Sequence, residues 1–368
     1  MAVYRDIRDL NFEQTVVTVG SFDGVHCGHR MLLRRVADLA AQHQLRSVAL
    51  TFWPHPQQAL HPAGKSLMLL NTLDERISLL KQTGIDDVVV FPFDRELSQM
   101  PAFGFIRDII IGKMNARYLV MGQDHHFGKD RGGDVQHLSD FVAHGDLQVE
   151  VVDLKMLDRK ISSSAIRNAL LSGDLKTANE MLGYEYIISG KVIAGNQLGR
   201  TIGFPTANIE TPEYKLLPKE GVYCVKVQIC DMRYEICDIR QEICDMRQET
   251  CDTRMSQISN FKSQISNLIS NISNLKSQIG MLYIGKRSVL EKKDTKPQVE
   301  VHIFDFDRDI YGQDISLALT HRIRDDIKFE NAGQLAEQLH RDKENIIKTC
   351  ISLQSLRFAI RKNCNIQL

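Results

Sequence analysis

The chain has no surplus of charge of either sign, because 46 lysines and arginines balance 46 aspartates and glutamates. That balance argues against a polybasic footprint for nucleic acid and against an acidic solvating tail. There is also no apolar signal core in the opening MAVYRDIRDL, and no apolar run reaches the length of a membrane span. The 8 cysteines include no CxxC pair and no zinc-finger spacing, so a reduced, cytoplasmic setting is expected. With these classes set aside, a soluble protein of 368 residues remains, too long for one ordinary core and suited to two domains.

The two halves have different rhythms. Up to Gly183, short β-rich runs (TVVTVG, RSVALTF, DDVVVF, ARYLVMG) alternate with helical patterns. This alternation predicts a doubly wound parallel sheet with helices on both faces. From Tyr184 onward strand follows strand: YIISGKVIAG, GVYCVKVQI, MLYIG, VEVHIFDF and ISLALTHRI. Such a series suggests an antiparallel β-barrel, closed by a helix over about Ala332 to Lys343. The expected division is therefore 1–183, 184–343 and an unassigned extension 344–368.

Inside the second half, residues 228–279 are built from sevens: ICDMRYE, ICDIRQE, ICDMRQE and TCDTRMS, then QISNFKS, QISNLIS and NISNLKS. Apolar residues alternate three and four apart from Ile229 to Met246, and again from Ile258 to Ile279, which is a heptad seam. An antiparallel helical hairpin turning near Thr253–Gln257 would return both ends to adjacent strands. A recently expanded, partly ordered repeat fits equally well, and the seam would allow self-association. Cys230, Cys237, Cys244 and Cys251 recur every seven residues, roughly 10 Å apart on a helix, too far for one metal.

The densest chemistry lies in VVTVGSFDGVHCGHRMLLRRVADLA, where a strand turns into a helix. A loop there opens at the carboxyl end of a parallel sheet, and exposed amides at the helix start favour phosphate. Gly20, Gly24 and Gly28 let the backbone approach a ligand closely. His26 and His29 add donors for charge developing on a nucleotide's phosphates. A pair that merely caps or packs is the alternative, and a zinc pair lacks third and fourth ligands at suitable spacing. Three further segments bear on the choice: TFWPHPQQAL sets His55 between prolines, and VMGQDHHFGKDRGGD offers Asp124, Lys129 and Arg131 on a glycine-punctuated loop. ISSSAIRNAL begins as a serine-capped helix with Arg167 in its first turn, where a bound anion would offset the unfavourable dipole.

In this order GSFDGVHCGH, PHP, GQDHHFGKDRGGD and ISSSAIR resemble the adenylyltransferase half of bifunctional riboflavin kinase/FAD synthetases. GNQLGRTIGFPTANI, LPKEGVYCV, VEVHIFDFDRDIYG and IRDDIKF resemble the riboflavin kinase barrel. The likeness covers about residues 12–343, apart from the heptads. It implies a nucleotidyltransferase-like domain that adenylylates FMN with ATP, giving FAD and pyrophosphate, and a kinase domain that phosphorylates riboflavin to FMN. By position His26 and His29 match the family's phosphate-contacting histidines. Gly20, Asp23, Gly28, Asp124, Ser163, Ser164, Arg167 and Gly199 match nucleotide contacts, and His55 and Arg324 match flavin contacts. Glu300 matches the kinase's catalytic base, while Thr206 and Asn208 match the residues that hold Mg²⁺-ATP. Period-2 alternation agrees with this, setting Glu300 and His302 on one face of their strand and Thr206 with Asn208 on one face of theirs. Their oxygens are the hard ligands magnesium prefers. Gly195, Gly199 and Gly203 would form a mobile flap over the nucleotide.

The chain departs from the family at YIGKRSV, where Tyr283, Ser288 and Val289 replace usual residues, and at His125, where an aromatic is usual. GMLYIGKR falls short of a P-loop, since Arg287 replaces the required hydroxyl. Two rivals stay open: an FAD synthetase whose kinase half is disabled by the insert, and a coiled-coil interaction protein built on an inactive enzyme. Intact Thr206, Asn208 and Glu300 weigh against the first. The second predicts self-association that is lost, without loss of activity, on deleting residues 228–279.

Overall fold

The computed structural model describes residues 2–6, 8, 10–60, 67–123, 145, 147–153, 161–195, 198–230, 278–286 and 297–364. The chain divides into two units, Met1–Tyr184 with Pro212–Leu216, and Glu185–Thr211 with Leu217–Leu368.

The first unit is built on six parallel strands: β1 (Ala2–Tyr4), β2 (Thr15–Val19), β3 (Arg46–Trp53), β4 (Asp87–Pro92), β5 (Ala116–Gly122) and β6 (Gln148–Val152). All five residues of β2 are buried, as expected of a parallel strand covered on both faces. The spatial order is β1-β4-β3-β2-β5-β6. From β2 the chain winds outward through β3 and β4, then returns to β2's other side for β5 and β6. That reversal makes the carboxyl ends of β2 and β5 a topological switch point, the place where such sheets hold ligands. Helix α1 (Cys27–His43) follows β2 and ends at Gln44, whose left-handed φ of 57° stops it.

The helix Leu73–Lys81 starts from a capping box between Thr72 and Glu75. The same Glu75 forms a buried ion pair with Lys215, 2.6 Å long, and Lys215 also donates to the Leu70 carbonyl at 2.7 Å. Segment Pro212–Leu216 is thus pinned inside the first unit, where Leu69 and Lys215 form an isolated parallel bridge.

The second unit is a closed six-stranded antiparallel barrel, β10-β11-β8-β7-β12-β9. Its strands are β7 (Tyr186–Ile193), β8 (Ala207–Glu210), β9 (Gly221–Cys230), β10 (Gln278–Gly285), β11 (Gln298–Ile303) and β12 (Asp314–Arg324). Strands β9 and β10 reach into the sevenfold repeat at both ends. Ile229 pairs with Ile315 and Ile279 with Lys226, so these two seam positions belong to barrel ladders. Residues 231–277 lie outside the described residues, and with them the hairpin and self-association expectations.

The closing helix runs Ala332–Cys364, well past the expected end near Lys343. No proline or glycine interrupts residues 344–364, so nothing local stops it. Buried Ile346 joins the barrel core with Phe204, Cys224 and Met281.

The Lys215–Glu75 pair yields a stability prediction. Lys215→Met leaves a buried carboxylate without its cation and should lower the first unit's unfolding free energy by about 3–5 kcal/mol. Adding Glu75→Gln should recover part of the loss. Urea denaturation monitored through Trp53 checks both, and an unchanged midpoint in the single variant would contradict this role.

Candidate active sites

In the first unit, the loop Gly20–His26 leaves β2 in an unusual conformation: Phe22, Gly24 and Val25 all have positive φ, at 46°, 90° and 34°. A left-handed β-branched residue such as Val25 is held only where its surroundings over-determine it. Here they do. Thr51 Oγ1 donates to the Ser21 carbonyl (3.3 Å), Ser163 Oγ to the Asp23 carbonyl (2.8 Å) and the Tyr184 hydroxyl to the Gly24 carbonyl (2.6 Å). Gly24 is favoured by its φ of 90°, and a Cβ there would also have to displace the end of Leu70, whose Cδ1 would lie 2.7 Å away.

The Asp23 carboxylate is the centre of this arrangement. It is 1% exposed and accepts from the amides of Leu70 (2.9 Å) and Asn71 (3.3 Å), and from the Arg167 guanidinium. Arg167 also donates to the Met68 carbonyl at 2.9 Å. Arg167, the fifth residue of the helix Ser163–Ser172 and so in its second turn rather than its first, is therefore compensated by a protein carboxylate, without needing an external anion. Ser162, not Ser163 or Ser164, caps that helix by accepting from the Ala165 amide at 3.2 Å; Ser164 is exposed.

His26 caps α1, its ring accepting from the His29 amide at 3.4 Å, and the two imidazoles stack with centroids 3.6 Å apart. Gly28 has its main structural reason here: a Cβ would lie 3.3 Å from the His26 ring. His55 likewise accepts through Nδ1 from the Gln57 amide (3.2 Å). Burial pushes both His26 and His55 down to about 4. Each ring is therefore neutral at pH 7, with Nδ1 accepting and Nε2 left to donate. Asp124 lies outside the described residues.

In the barrel, Glu300 on β11 pairs in register with Asn208 on β8, and Thr206 Oγ1 donates to Glu300 Oε2 at 3.3 Å. Gly195 permits a close backbone approach, since a Cβ there would fall 2.0 Å from Asn208 Nδ2. Thr206 borders a cavity of about 470 Å³ whose wall includes Arg200, Phe306, Arg308 and Tyr311. Gly199 packs its α-carbon against the Phe204 carbonyl, where a Cβ would stand 2.0 Å away, which holds this turn closely. Arg324 is engaged by buried Asp342 at 2.8 Å. Tyr283 lies opposite Glu300 in the β10–β11 ladder, and burial pushes its phenol up.

A family model for FAD synthetase matches residues 9–165, and one for riboflavin kinase matches residues 182–350. The bifunctional riboflavin kinase/FMN adenylyltransferase of Listeria monocytogenes is 31% identical over 331 residues, covering 90% of both chains.

The chain belongs to the bifunctional riboflavin kinase/FMN adenylyltransferase family.

The Bacillus subtilis relative is 31% identical over 336 residues, covering 91% of this chain and 92% of its own. The Escherichia coli K12 relative is 30% identical over 349 residues, with 93% and 96% covered. A solved Streptococcus pneumoniae structure, described as a macrolide-efflux protein, shares the fold with a TM-score of 0.71 and 29% identity over 93% of this chain and 97% of its own. No helix among the described residues is long and apolar enough to cross a membrane.

For this family member, sequence reasoning missed two residues of the first unit's candidate site, one neutral and one charged. Tyr184, taken as a boundary residue, anchors the Gly24 carbonyl. Arg76, in a stretch read only as a crossover helix, is fully buried beside β3. A charged TLDER run opening a buried helix was the available signal.

The two low histidine values set a pH dependence. A histidine whose folded value is depressed contributes stability that is whole above about 6.5 and is lost as pH falls toward 4, up to ~3 kcal/mol apiece. The first unit should therefore weaken steeply between pH 6.5 and 4. His55→Gln should flatten that slope in urea midpoints measured against pH, and an unchanged slope would contradict a buried neutral His55.

Proposed function

We propose that both family reactions run on this one chain: riboflavin and ATP give FMN in the barrel, then FMN and a second ATP give FAD and pyrophosphate in the first unit. We assign the adenylyltransferase to residues 1–183 and the kinase to 184–343. The juxtaposition of Thr206, Asn208 and Glu300, kept in a barrel whose neighbouring strands β9 and β10 flank a 47-residue repetitive stretch (231–277), carries the reading. A chain whose kinase had been disabled would have no reason to keep it.

In the kinase step, Glu300 takes the proton from riboflavin's primary hydroxyl as its oxygen attacks the γ-phosphate. Thr206, hydrogen-bonded to Glu300, fixes the direction in which that carboxylate points. The residues present fit a magnesium ion, because the Thr206 hydroxyl, the Asn208 carbonyl and the Glu300 carboxylate are hard oxygen donors. When bound with ATP, the ion supplies charge neutralisation on the phosphates.

In the adenylyl step, an oxygen of the FMN phosphate forms a bond to the α-phosphorus while the bond to pyrophosphate breaks. The nucleophile is already ionised at neutral pH, so the site needs positioning and charge stabilisation more than a base. His26, neutral at pH 7, and His29 supply N–H donors where the α1 amides also point. Ser163 and Arg167 hold the loop that presents them, and His55 faces the flavin nucleotide. Asp124 keeps its nucleotide role on the resemblance.

Product analysis with Mg²⁺-ATP and either riboflavin or FMN tests the division. The wild-type chain should form FAD from both. Glu300→Gln should slow FMN formation by about 10²–10⁴-fold and still convert supplied FMN to FAD. His29→Asn should accumulate FMN from riboflavin. Loss of both reactions in either folded variant would contradict two separate sites, and no FAD from FMN in the wild type would overturn the reading.

A further inference from the structure

The helix Leu73–Lys81 carries a charged group that neither reaction, as described, uses. Arg76 is 0% exposed. One nitrogen, Nη1, donates to Thr51 Oγ1 (3.3 Å) and the Phe52 carbonyl (3.1 Å) at the carboxyl end of β3. Nε and Nη2 are buried with no hydrogen-bond partner among the described residues. The guanidinium lies over the Trp53 ring, 5.9 Å from its centroid.

A buried cation with two unused donors and no paired carboxylate is a costly arrangement, normally tolerated only where something compensates it. The nearby acids are committed elsewhere. Asp23 is paired with Arg167 and Glu75 with Lys215. Among the described residues, three buried or nearly buried cations thus face two carboxylates, leaving one positive charge in surplus, with His26 and His55 neutral. Arg76, Arg167 and Asp23 all act electrostatically on His55, so the surplus lies within electrostatic reach of that ring. The Thr51 hydroxyl that accepts from Arg76 donates in turn to the Ser21 carbonyl, linking the charge to the Gly20–His26 loop.

We propose that Arg76 is a positioning residue whose fixed, buried positive charge favours the phosphate monoester of the flavin nucleotide at the adenylyltransferase site. The proposal rests on the adenylyl-transfer reading above and deepens it. Two polyanions must meet in that reaction, and their repulsion has to be offset by the protein. Arg76 is too deeply buried to touch substrate, so it acts through a low-dielectric path that salt screens weakly. The α1 end and its histidines serve ATP, and the β3 end serves the nucleophile.

Steady-state adenylyl transfer with the full chain tests this, using Arg76→Lys, Arg76→Met and Arg76→Gln, with urea midpoints read through Trp53 as the check on folding of the first unit and the rate of riboflavin phosphorylation as the control for the barrel. Arg76→Met should raise KM for FMN by roughly tenfold or more, with a smaller change in KM for ATP, kcat within a few-fold and the kinase rate unchanged. Arg76→Lys should stay within about threefold of wild type. Equal defects in the Lys and Met variants would overturn the proposal in favour of packing on Trp53, and a rise confined to KM for ATP would overturn it in favour of the nucleotide. Should Arg76→Met not fold, Arg76→Gln is read in its place. If both neutral variants unfold while Arg76→Lys folds, the charge is structural and the proposal fails. Wild-type turnover of FMN separately tests the reading of the site, and its absence would overturn both.

Discussion

The buried pair between Asp23 and Arg167 is the constraint on which the first unit's site depends. Asp23 sits in the loop after β2, Arg167 in a helix 144 residues later, and Leu70 and Asn71, whose amides also bind Asp23, lie in a third segment. One carboxylate therefore ties three distant stretches together at the switch point of the sheet. The loop it holds would not rest in its observed shape unaided, with left-handed backbone at Phe22, Gly24 and Val25. That shape brings His26 onto the end of α1 and stacks it on His29. Breaking a buried pair by removing one partner is strongly destabilising, which explains how a local strain can be maintained.

The two sites treat charge differently. In the first unit His26 and His55 are neutral and the positive charge is fixed at arginines, so the phosphate recognition proposed for it would not depend on protonating either ring at pH 7. The barrel instead concentrates oxygen donors, with Thr206, Asn208 and Glu300 on adjacent strands. This suits a step that must deprotonate a neutral hydroxyl. The division follows from the nucleophiles: a phosphate arrives ionised and a hydroxyl does not.

Much of this was legible in the sequence where the signals are local. The strand–turn–helix around HCGH, the alternation of helices and strands to Gly183, and the period-2 pattern of QVEVHI all depend on near neighbours. Long-range partnerships were not legible. Asp23 reads as one more polar residue in a phosphate loop until Leu70 and Arg167 are seen to consume its oxygens. Gly28 reads as room for a ligand, whereas it also makes room for the His26 ring. The start of β10 at Gln278, inside the heptads, was hidden because Ile279 satisfies a strand as well as a coiled-coil seam, and the residue pattern alone does not choose. Arg324 is similar, since its partner Asp342 lies on a helix whose register against the barrel no local pattern reveals.

The most direct test of the account is Asp23→Asn, assayed for both reactions in one preparation. If the carboxylate organises the phosphate loop, FAD formation from FMN should fall by at least about thirtyfold, in line with about 2 kcal/mol or more of lost positioning, while riboflavin phosphorylation in the barrel stays at the wild-type rate. A folded Asp23→Asn chain that makes FAD at the wild-type rate would contradict the central role given to this residue.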